Sequence, residues 1–469
     1  MKPRMLLLVP VFLFAGCAVG PNYRRPNIQA PAAFRAPEPL PPQEAASMAV
    51  LKWFEVFNDP ELQNLVRAAL QRNYDLRDAV ARVDQARASL GATRSNQYPN
   101  FGAGASLEIN RLSRDGATPI RSQLLPSQNR NFGTAALELL SFEIDIWGRL
   151  RRETEAARAS LLGAEENRKA VVTTLVSDVA TAYLTLRELD YTLEISQRTL
   201  QTREQSLELT RSRQIGGVAT LLDQRQAEQL VQTAAETIPA IQEQIGVTEN
   251  RINLLLGQNP GSVVRGRSLT DQQMPPQVPA GLPSALLERR PDISAAEQDL
   301  IAANAEIGVA RAAYFPRLTL SGALGGASTQ LTSLFSADHS TWNLAPQVTQ
   351  PIFTAGRIKS GVKFAAAQRE RALIRYEKTI QTAFTEVSDA LIAHQRVRER
   401  REKQAALVAT LEDRVRLAYV RYRGGVDTQL NVLDSDRDLF QAQLDLASIR
   451  LQELLTVVQL YKALGGGWQ

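Results

Sequence analysis

The stretch Leu70-Gln71-Arg72-Asn73-Tyr74-Asp75-Leu76 returns 217 residues later as Leu287-Glu288-Arg289-Arg290-Pro291-Asp292-Ile293, and this duplication decides the fold. Further landmarks repeat in the same order: Leu90-Gly91 as Ile307-Gly308 and Tyr98-Pro99 as Phe315-Pro316 at the offset of 217, then Gly148-Arg149 as Gly356-Arg357 and Gly216-Gly217 as Gly424-Gly425 at an offset of 208. The difference between the two offsets fits a loop that changed length. Because self-similarity at a fixed offset indicates copies of one structural unit, we expect an internal twofold repeat.

Each copy contains two stretches in which apolar residues alternate with small or polar ones, the pattern of a β-strand. They run over Phe101–Asn110 and Leu140–Ile146 in the first copy, and over Leu318–Leu324 and Trp342–Ile352 in the second. A membrane barrel needs about eight or more strands to close, so one chain cannot form it alone. An eight-stranded barrel is filled by its own side chains, so a conducting pore favours three chains over two. Surface strands on a helical protein remain the alternative.

Very long helices are predicted between the strands and the glycine pairs. No proline interrupts residues 148–214, and the apolar residues there are spaced mostly by three and four, which is typical of coiled coils. At 1.5 Å per residue, such a helix extends roughly 100 Å, more than a globular core needs. The glycine pairs permit tight reversals into return helices from about Ala219 and Thr428.

The composition excludes several classes of protein. One cysteine rules out a disulfide framework, and with only two histidines, His339 and His394, zinc or Cys/His nucleophile chemistry lacks ligands. The net charge of +5 is modest and the basic residues are scattered, so nucleic acid is not a favoured partner. No apolar run reaches the roughly 18 residues of a membrane-spanning helix. The run Asp434–Asp438 resembles the start of a calcium loop, but the sixth and twelfth positions of that loop are Leu439 and Asp445, where an EF-hand has Gly and Glu. No phosphate-binding or hydrolase motif appears in the sequence. We predict no catalytic residue, metal or cofactor apart from a covalent lipid.

The N-terminus reads as a lipoprotein signal. Lys2 and Arg4 precede the apolar stretch Met5–Phe14, and small residues lead to Cys17, the only cysteine. The sequence Phe14-Ala15-Gly16-Cys17 resembles a bacterial lipobox, from which it departs by Phe14 in place of leucine. That resemblance implies that Cys17 carries acyl chains anchored in the outer membrane. The following proline-rich segment is expected to run extended along a surface.

Taken together, the chain resembles the TolC/OprM-type outer membrane factor family, in the lipoprotein branch of multidrug efflux channels. The resemblance implies a mixed α/β membrane protein: a long coiled-coil α-helical barrel in the periplasm, plus four strands per chain contributing to a trimeric twelve-stranded β-barrel. It also implies a periplasmic adaptor and an inner-membrane transporter of the RND type as partners. The matching landmarks, spread over nearly the whole chain, are Cys17–Tyr23, Asp145–Arg149, Arg289–Ile293, Pro351–Arg357 and Leu460–Trp468.

The same resemblance implies a pore gate after the second glycine pair. By position, Asp434 and Leu430 resemble the acidic and apolar gate residues, and Arg437 a nearby charged partner. In a threefold assembly Asp434 would form a carboxylate ring that selects cations. Asp223 and Tyr422 resemble a hydrogen-bonded latch between helices. For Asp436 and Asp438 we expect solvated carboxylates on a helix surface.

The leading hypothesis is a passive, trimeric exit duct for drugs in the outer membrane of a Gram-negative bacterium. Alternatives are type I protein secretion or small-signal export through the same fold, and a periplasmic coiled-coil scaffold without a pore. The predicted organisation is a signal peptide over 1–16, a lipidated extended segment over 17–50, a first repeat over 51–280 and a second repeat over 281–469.

Overall fold

The computed structural model describes residues 18–31, 33–36, 52, 56–111, 129–272 and 283–466. The predicted signal peptide and Cys17 lie outside these residues. The described residues form two compact units. Within the described ranges, the first draws on residues 18–26, 84–111, 129–163 and 297–375. The second draws on 27–31, 33–36, 52, 56–83, 164–272, 283–296 and 376–466.

The first unit contains one antiparallel sheet whose strands are joined in the order β1-β2-β3-β4. The strands are β1 (Phe101–Arg111), β2 (Asn129–Glu143), β3 (Arg317–Ser328) and β4 (Ser340–Thr349). All four predicted strands are present, but β2 runs over Asn129–Glu143 and not Leu140–Ile146, β3 continues past Leu324 to Ser328, and β4 ends before Ile352. The second strand begins at Asn129 because the whole of β1 pairs with it, from Arg111 opposite Asn129 to Phe101 opposite Leu139. The fourth strand ends at Thr349, short of Ile352, because Thr349 is opposite Arg317, the first residue of its partner strand β3.

The sheet presents open edges and an apolar surface. Among the described residues β1 pairs only with β2, and β4 only with β3. Every residue of β4 is exposed. Exposed apolar side chains on the strands include Phe101, Leu107, Ile109, Leu137, Leu324, Trp342, Leu344 and Val348. A sheet with two open edges and this much exposed apolar surface needs something to cover it.

Eight α-helices complete the described chain, and they repeat in length. The two longest have 67 residues each, and the return helix after each has 35. Among the described residues, no helix is both long and apolar enough to span a membrane. The helices are α1 (Pro60–Arg72), α2 (Tyr74–Ser95), α3 (Arg149–Ile215), α4 (Leu221–Leu255), α5 (Pro283–Arg289), α6 (Pro291–Ala312), α7 (Arg357–Arg423) and α8 (Gln429–Ala463).

The duplication extends to individual hydrogen bonds in the second unit. Asn73 Nδ2, after α1, donates to the carbonyl of Leu255 at 3.0 Å, and Arg290 Nη1, after α5, donates to the carbonyl of Ala463 at 3.1 Å. In each copy a glycine with positive φ then ends the return helix, Gly257 at 64° and Gly465 at 79°. The predicted twofold repeat is confirmed. In both copies a side chain that follows the short helix bonds to a carbonyl at the end of the return helix, but this side chain is an asparagine in the first copy and an arginine in the second.

A buried carboxylate, Asp59, is a second polar centre of this unit. Its Oδ2 accepts hydrogen bonds from the Tyr183 hydroxyl at 2.9 Å, Gln272 Nε2 at 2.9 Å and the Arg267 backbone N–H at 3.1 Å. Burial alone would raise the pKa of Asp59, but hydrogen bonds from Gln272, Tyr183 and two backbone N–H groups together hold it below its ordinary value. The ionised carboxylate thus ties helix α1 to α3 and to the loop at residues 266–272.

The segment that follows Cys17 lies against the first unit. The Val19 N–H donates to the Trp147 carbonyl at 2.9 Å, and Arg152 Nη2 donates to the side chain of Asn22 at 2.7 Å. Contact is closest at Gly308, where an added Cβ would meet the Val19 carbonyl oxygen at 2.6 Å. These bonds hold residues 19–22 in place.

Candidate functional site

Two helical hairpins in the second unit, α3–α4 and α7–α8, carry the predicted gate and latch. Each turn places its second glycine in the left-handed region, Gly217 at φ 75° and Gly425 at φ 73°. In each turn the next N–H bonds back to the helix, from Val218 to the Arg213 carbonyl and from Val426 to the Arg421 carbonyl. The structure therefore contains both predicted reversals, and the return helices begin within two residues of the predicted positions.

The two turns are capped by different side chains. At the first, Thr220 and Asp223 form a reciprocal capping box at the start of α4. At the second turn, the Thr428 side chain makes no capping hydrogen bond, and the Asp427 side chain accepts the hydrogen bonds at the start of α8 instead. Asp427 accepts from the Thr428 N–H at 2.8 Å, Asn431 Nδ2 at 2.6 Å and Arg421 Nε at 3.0 Å. The bonds from Arg421 and Asn431 lower the pKa of Asp427.

The three predicted gate residues share one face of α8. Leu430 and Asp434 are one turn apart, and Arg437 follows after another three residues. Leu430 is half exposed, and Arg437 Nη1 lies 3.2 Å from Asp434 Oδ1. The exposed ion pair leaves the Asp434 carboxylate in contact with solvent. The gate role of these residues stays a prediction.

The two predicted latch residues are not bonded to each other within the described chain. Asp223 is engaged in its capping box, where Oδ2 accepts from the Thr220 N–H at 2.8 Å. The Tyr422 hydroxyl donates to Gln429 Oε1 at 3.2 Å, and the Arg213 guanidinium lies 4.4 Å from its ring centroid. The cation–π contact of Arg213 with Tyr422 was not predicted. The latch between Asp223 and Tyr422 stays a prediction.

The prediction of a solvated Asp436 was wrong. Its Oδ2 accepts from Arg203 Nε at 2.7 Å, and only 4% of the Arg203 side chain and 13% of the Asp436 side chain are exposed. Asp436 lies three residues after Leu433 and four before Phe440, both buried, so it continues the apolar stripe of α8. That spacing was the available signal. Asp438, in contrast, is partly exposed and pairs with Arg414 at 2.9 Å.

The two histidines, for which no partner set is expected, each have one side-chain hydrogen-bond partner within the part of the chain that the structure describes. His394 Nδ1 lies 2.9 Å from Thr456 Oγ1, and burial lowers the pKa of His394. His339 Nδ1 lies 2.7 Å from Ser336 Oγ. Within the described ranges, no group of three or more His, Cys, Asp or Glu residues could hold a metal ion.

Comparison with known proteins identifies the family. A model of the family described as "Outer membrane efflux protein" matches residues 65–258 and 282–466. The probable efflux pump outer membrane protein TtgC of Pseudomonas putida is 38% identical, and the alignment covers 100% of this chain and 96% of TtgC. The cation efflux system protein CusC of Escherichia coli is 34% identical, with 100% of both chains covered.

Solved structures agree with this assignment. The outer-membrane channel OprN matches with a TM-score of 0.89 at 30% identity, covering 96% of this chain and 100% of OprN. The open state of the MtrE outer membrane channel of Neisseria gonorrhoeae matches with a TM-score of 0.87 at 31% identity, covering 97% and 99%. The resemblance seen in the sequence is confirmed, as is the predicted fold class. The chain belongs to the outer membrane efflux protein family.

Proposed function

We propose that three copies of this chain form an outer membrane channel, the passive exit duct of a tripartite efflux pump. The observation that carries the proposal is the open four-stranded sheet. Strands β1 and β4 lie at opposite edges, so β4 of one copy can pair with β1 of the next in a ring. Three copies give twelve strands without an edge, whereas two would give a barrel filled by side chains. The exposed apolar side chains of the strands then face lipid.

At the other functional region, the threefold axis would multiply the gate residues. Three copies of Asp434 would form a carboxylate ring that concentrates cations, and three copies of Leu430 would add an apolar constriction. Arg437 would partly neutralise the negative charge of this ring, because its guanidinium lies 3.2 Å from Asp434 Oδ1. Such a duct changes no covalent bonds, so the protein is not an enzyme.

The hairpin turns are the surface that we assign to the periplasmic adaptor, beyond which an inner-membrane transporter of the RND type would supply cargo. Three apolar side chains at the turns are largely exposed: Ile215 at 84%, Val218 at 77% and Val426 at 67%. Apolar groups in such positions are expected to be covered by a partner. Relatives are named for efflux of antibiotics, toluene and cations, and for this chain we propose drugs and other small molecules as cargo.

A lipid on Cys17 would fasten the N-terminus to the outer membrane. Acyl chains contribute about 0.8 kcal/mol for each buried CH₂ group, so more than one chain gives a stable anchor. Intact-mass measurement of the mature chain tests this, since a lipidated Cys17 adds the mass of its acyl groups. A mature chain that begins elsewhere, or that carries no added mass, would contradict the anchor.

Mass measurement of the detergent-solubilised protein tests the assembly, with three protomers expected. A monomer that stays soluble without detergent after Cys17→Ala would support the pore-free scaffold instead. A deletion strain that keeps its drug resistance but loses a secreted protein would favour type I secretion.

The gate is tested by single-channel recording in planar bilayers. We expect Asp434→Ala to raise conductance or weaken cation selectivity. Asp445→Ala, on the same helix with an exposed side chain that accepts from Gln441 Nε2 at 3.0 Å, is the matched control. Equal behaviour of the two variants would remove Asp434 from the gate.

A further inference from the structure

A buried ion pair joins the two hairpins beside the candidate gate. Arg203, on α3, donates through Nε to Asp436 Oδ2 on α8 and through Nη1 to the Leu230 carbonyl on α4 at 3.0 Å. Its guanidinium also lies 4.9 Å from the ring centroid of Phe440. One side chain on α3 therefore contacts two other helices, α4 and α8, and its hydrogen bonds have fixed directions.

Among the described residues, one carboxylate compensates the positive charge of Arg203. Its Nη2 is buried and makes no hydrogen bond within the described part of the chain. Asp436 is also the only carboxylate within salt-bridge distance of Arg203 among the described residues. A rotation of α8 that removed Asp436 would therefore leave a buried cation uncompensated, which is costly.

The pair is placed where it can set the rotation of α8 about its own axis. Asp434 and Asp436 are two residues apart, which is about 200° around an α-helix. Asp436 faces α3, on the side where Leu433 packs in an apolar cluster with Leu207, Ala227 and Val231. Asp434 therefore faces away from that cluster, on the face it shares with Leu430.

The apolar contacts favour one face of α8, but they cannot set its rotation as narrowly as directional bonds, because hydrophobic packing is non-directional. Polar contacts can, and a second one supports the pair towards the turn. Gln429 Nε2 donates to Thr210 Oγ1 at 2.7 Å, and both side chains are buried. Directional bonds at Asp436 and Gln429 thus hold α8 at two points seven residues apart, on either side of Leu430 and Asp434.

We propose that Arg203 is a positioning residue of the gate: through Asp436 it fixes the rotation of α8 that directs Asp434 and Leu430 away from α3 and into the pore. This inference rests on the proposed channel. It predicts that the ion pair can be replaced by apolar residues without loss of stability, but not without loss of gating.

The decisive experiment uses the full-length trimer in planar bilayers, with Arg203→Met and Asp436→Leu combined. Replacing a buried ion pair by apolar residues of similar volume is often neutral or stabilising, so the trimer should form and unfold as the wild type does. We expect the open fraction to rise by roughly fivefold or more, at the lower end of typical coupling between linked sites, with weaker cation selectivity. Wild-type gating in a stable Met/Leu trimer would overturn the proposal.

Single variants supply the control and the link to the gate. Asp445→Asn removes one exposed carboxylate from the same helix, outside the buried pair and away from Arg437, and should leave gating unchanged. Asp436→Asn should loosen the gate, and it should add little when Asp434 is already Ala, because both act through the same ring. Fully additive effects would contradict that link. If the wild-type protein gave neither a trimer nor conductance, the proposed function itself would fail, an outcome distinct from normal gating in the variants.

Discussion

Replacing Arg290 by methionine tests the joint between the helix pairs of the second repeat. Arg290 is 8% exposed and donates to Asp292 at 2.6 and 2.9 Å, to Glu386 at 2.6 Å and to the Ala463 carbonyl at 3.1 Å. Without it the buried Ala463 carbonyl has lost a donor, which costs about 1–3 kcal/mol. Asp292 and Glu386 are partly exposed, so water solvates them and each lost pair costs only about 0.2–1 kcal/mol. We expect Arg290→Met to lower the free energy of unfolding by about 3 kcal/mol.

The assay is guanidinium unfolding of the detergent-solubilised protein, followed by its helical circular dichroism. Arg289→Met is the matched control, because it removes the same charge from the neighbouring position, and the structure shows no bonded partner for the Arg289 side chain among the described residues. Arg290→Lys keeps the charge but cannot reproduce the forked bonds, so its loss should be intermediate. If Arg290→Met destabilised the protein no more than Arg289→Met, the assignment of this joint to Arg290 would be refuted.

Two further predictions concern the buried carboxylate Asp59 and the close contact between Gly308 and Val19. Since the folded pKa of Asp59 is lowered, its contribution is complete above the unfolded value of about 3.9 and is lost as pH falls through the folded pKa. The difference in unfolding free energy between wild type and Asp59→Asn should therefore shrink as the assay is moved from about pH 6 to pH 3, and a constant difference would contradict this. Gly308→Val should release residues 18–26, measured as faster proteolysis there, because its Cβ would collide with the Val19 carbonyl. Gly246→Ala, with open space around its Cβ, should stabilise α4 by up to about 1 kcal/mol and leave proteolysis unchanged.

The sequence was most informative where local physical rules determine structure. Gly217 and Gly425 adopt the positive φ that a tight helix reversal requires, so the glycine pairs predict both turns. The long helices follow from apolar spacing and the absence of proline. The early part of β2 was missed because residues 133–136, Gly-Thr-Ala-Ala, show no strong alternation. Pairing with β1 on one side and β3 on the other makes them a strand, which is a tertiary effect.

The roles of site residues are harder to predict, because a polar side chain can bond to residues next to it in the chain and not to the distant partner that its position suggests. Asp223 was interpreted as half of a latch, yet the sequence Thr220-x-x-Asp223 is similar to a capping box, and the structure contains one. Asp436 was interpreted as solvated because aspartate is seldom buried. Its partner Arg203 lies 233 residues earlier in the chain, so no local pattern could indicate that its charge is compensated.

The two hairpins have helices of the same lengths, but different side chains stand at corresponding positions. At the offset of 208 residues, Asp434 corresponds to Gln226, and Asp436 corresponds to Glu228. Glu228 is partly exposed and pairs with Arg225 at 2.6 Å and with Arg211 at 3.8 Å, whereas Asp436 is buried with Arg203. In the proposed channel the second hairpin carries the gate carboxylate, and the buried pair that would orient it joins Asp436 on α8 to Arg203 on α3 of the first hairpin. A trimer would then have three such carboxylates on its axis although it contains six hairpins. We propose that the first hairpin of each chain supports the second, through Arg203.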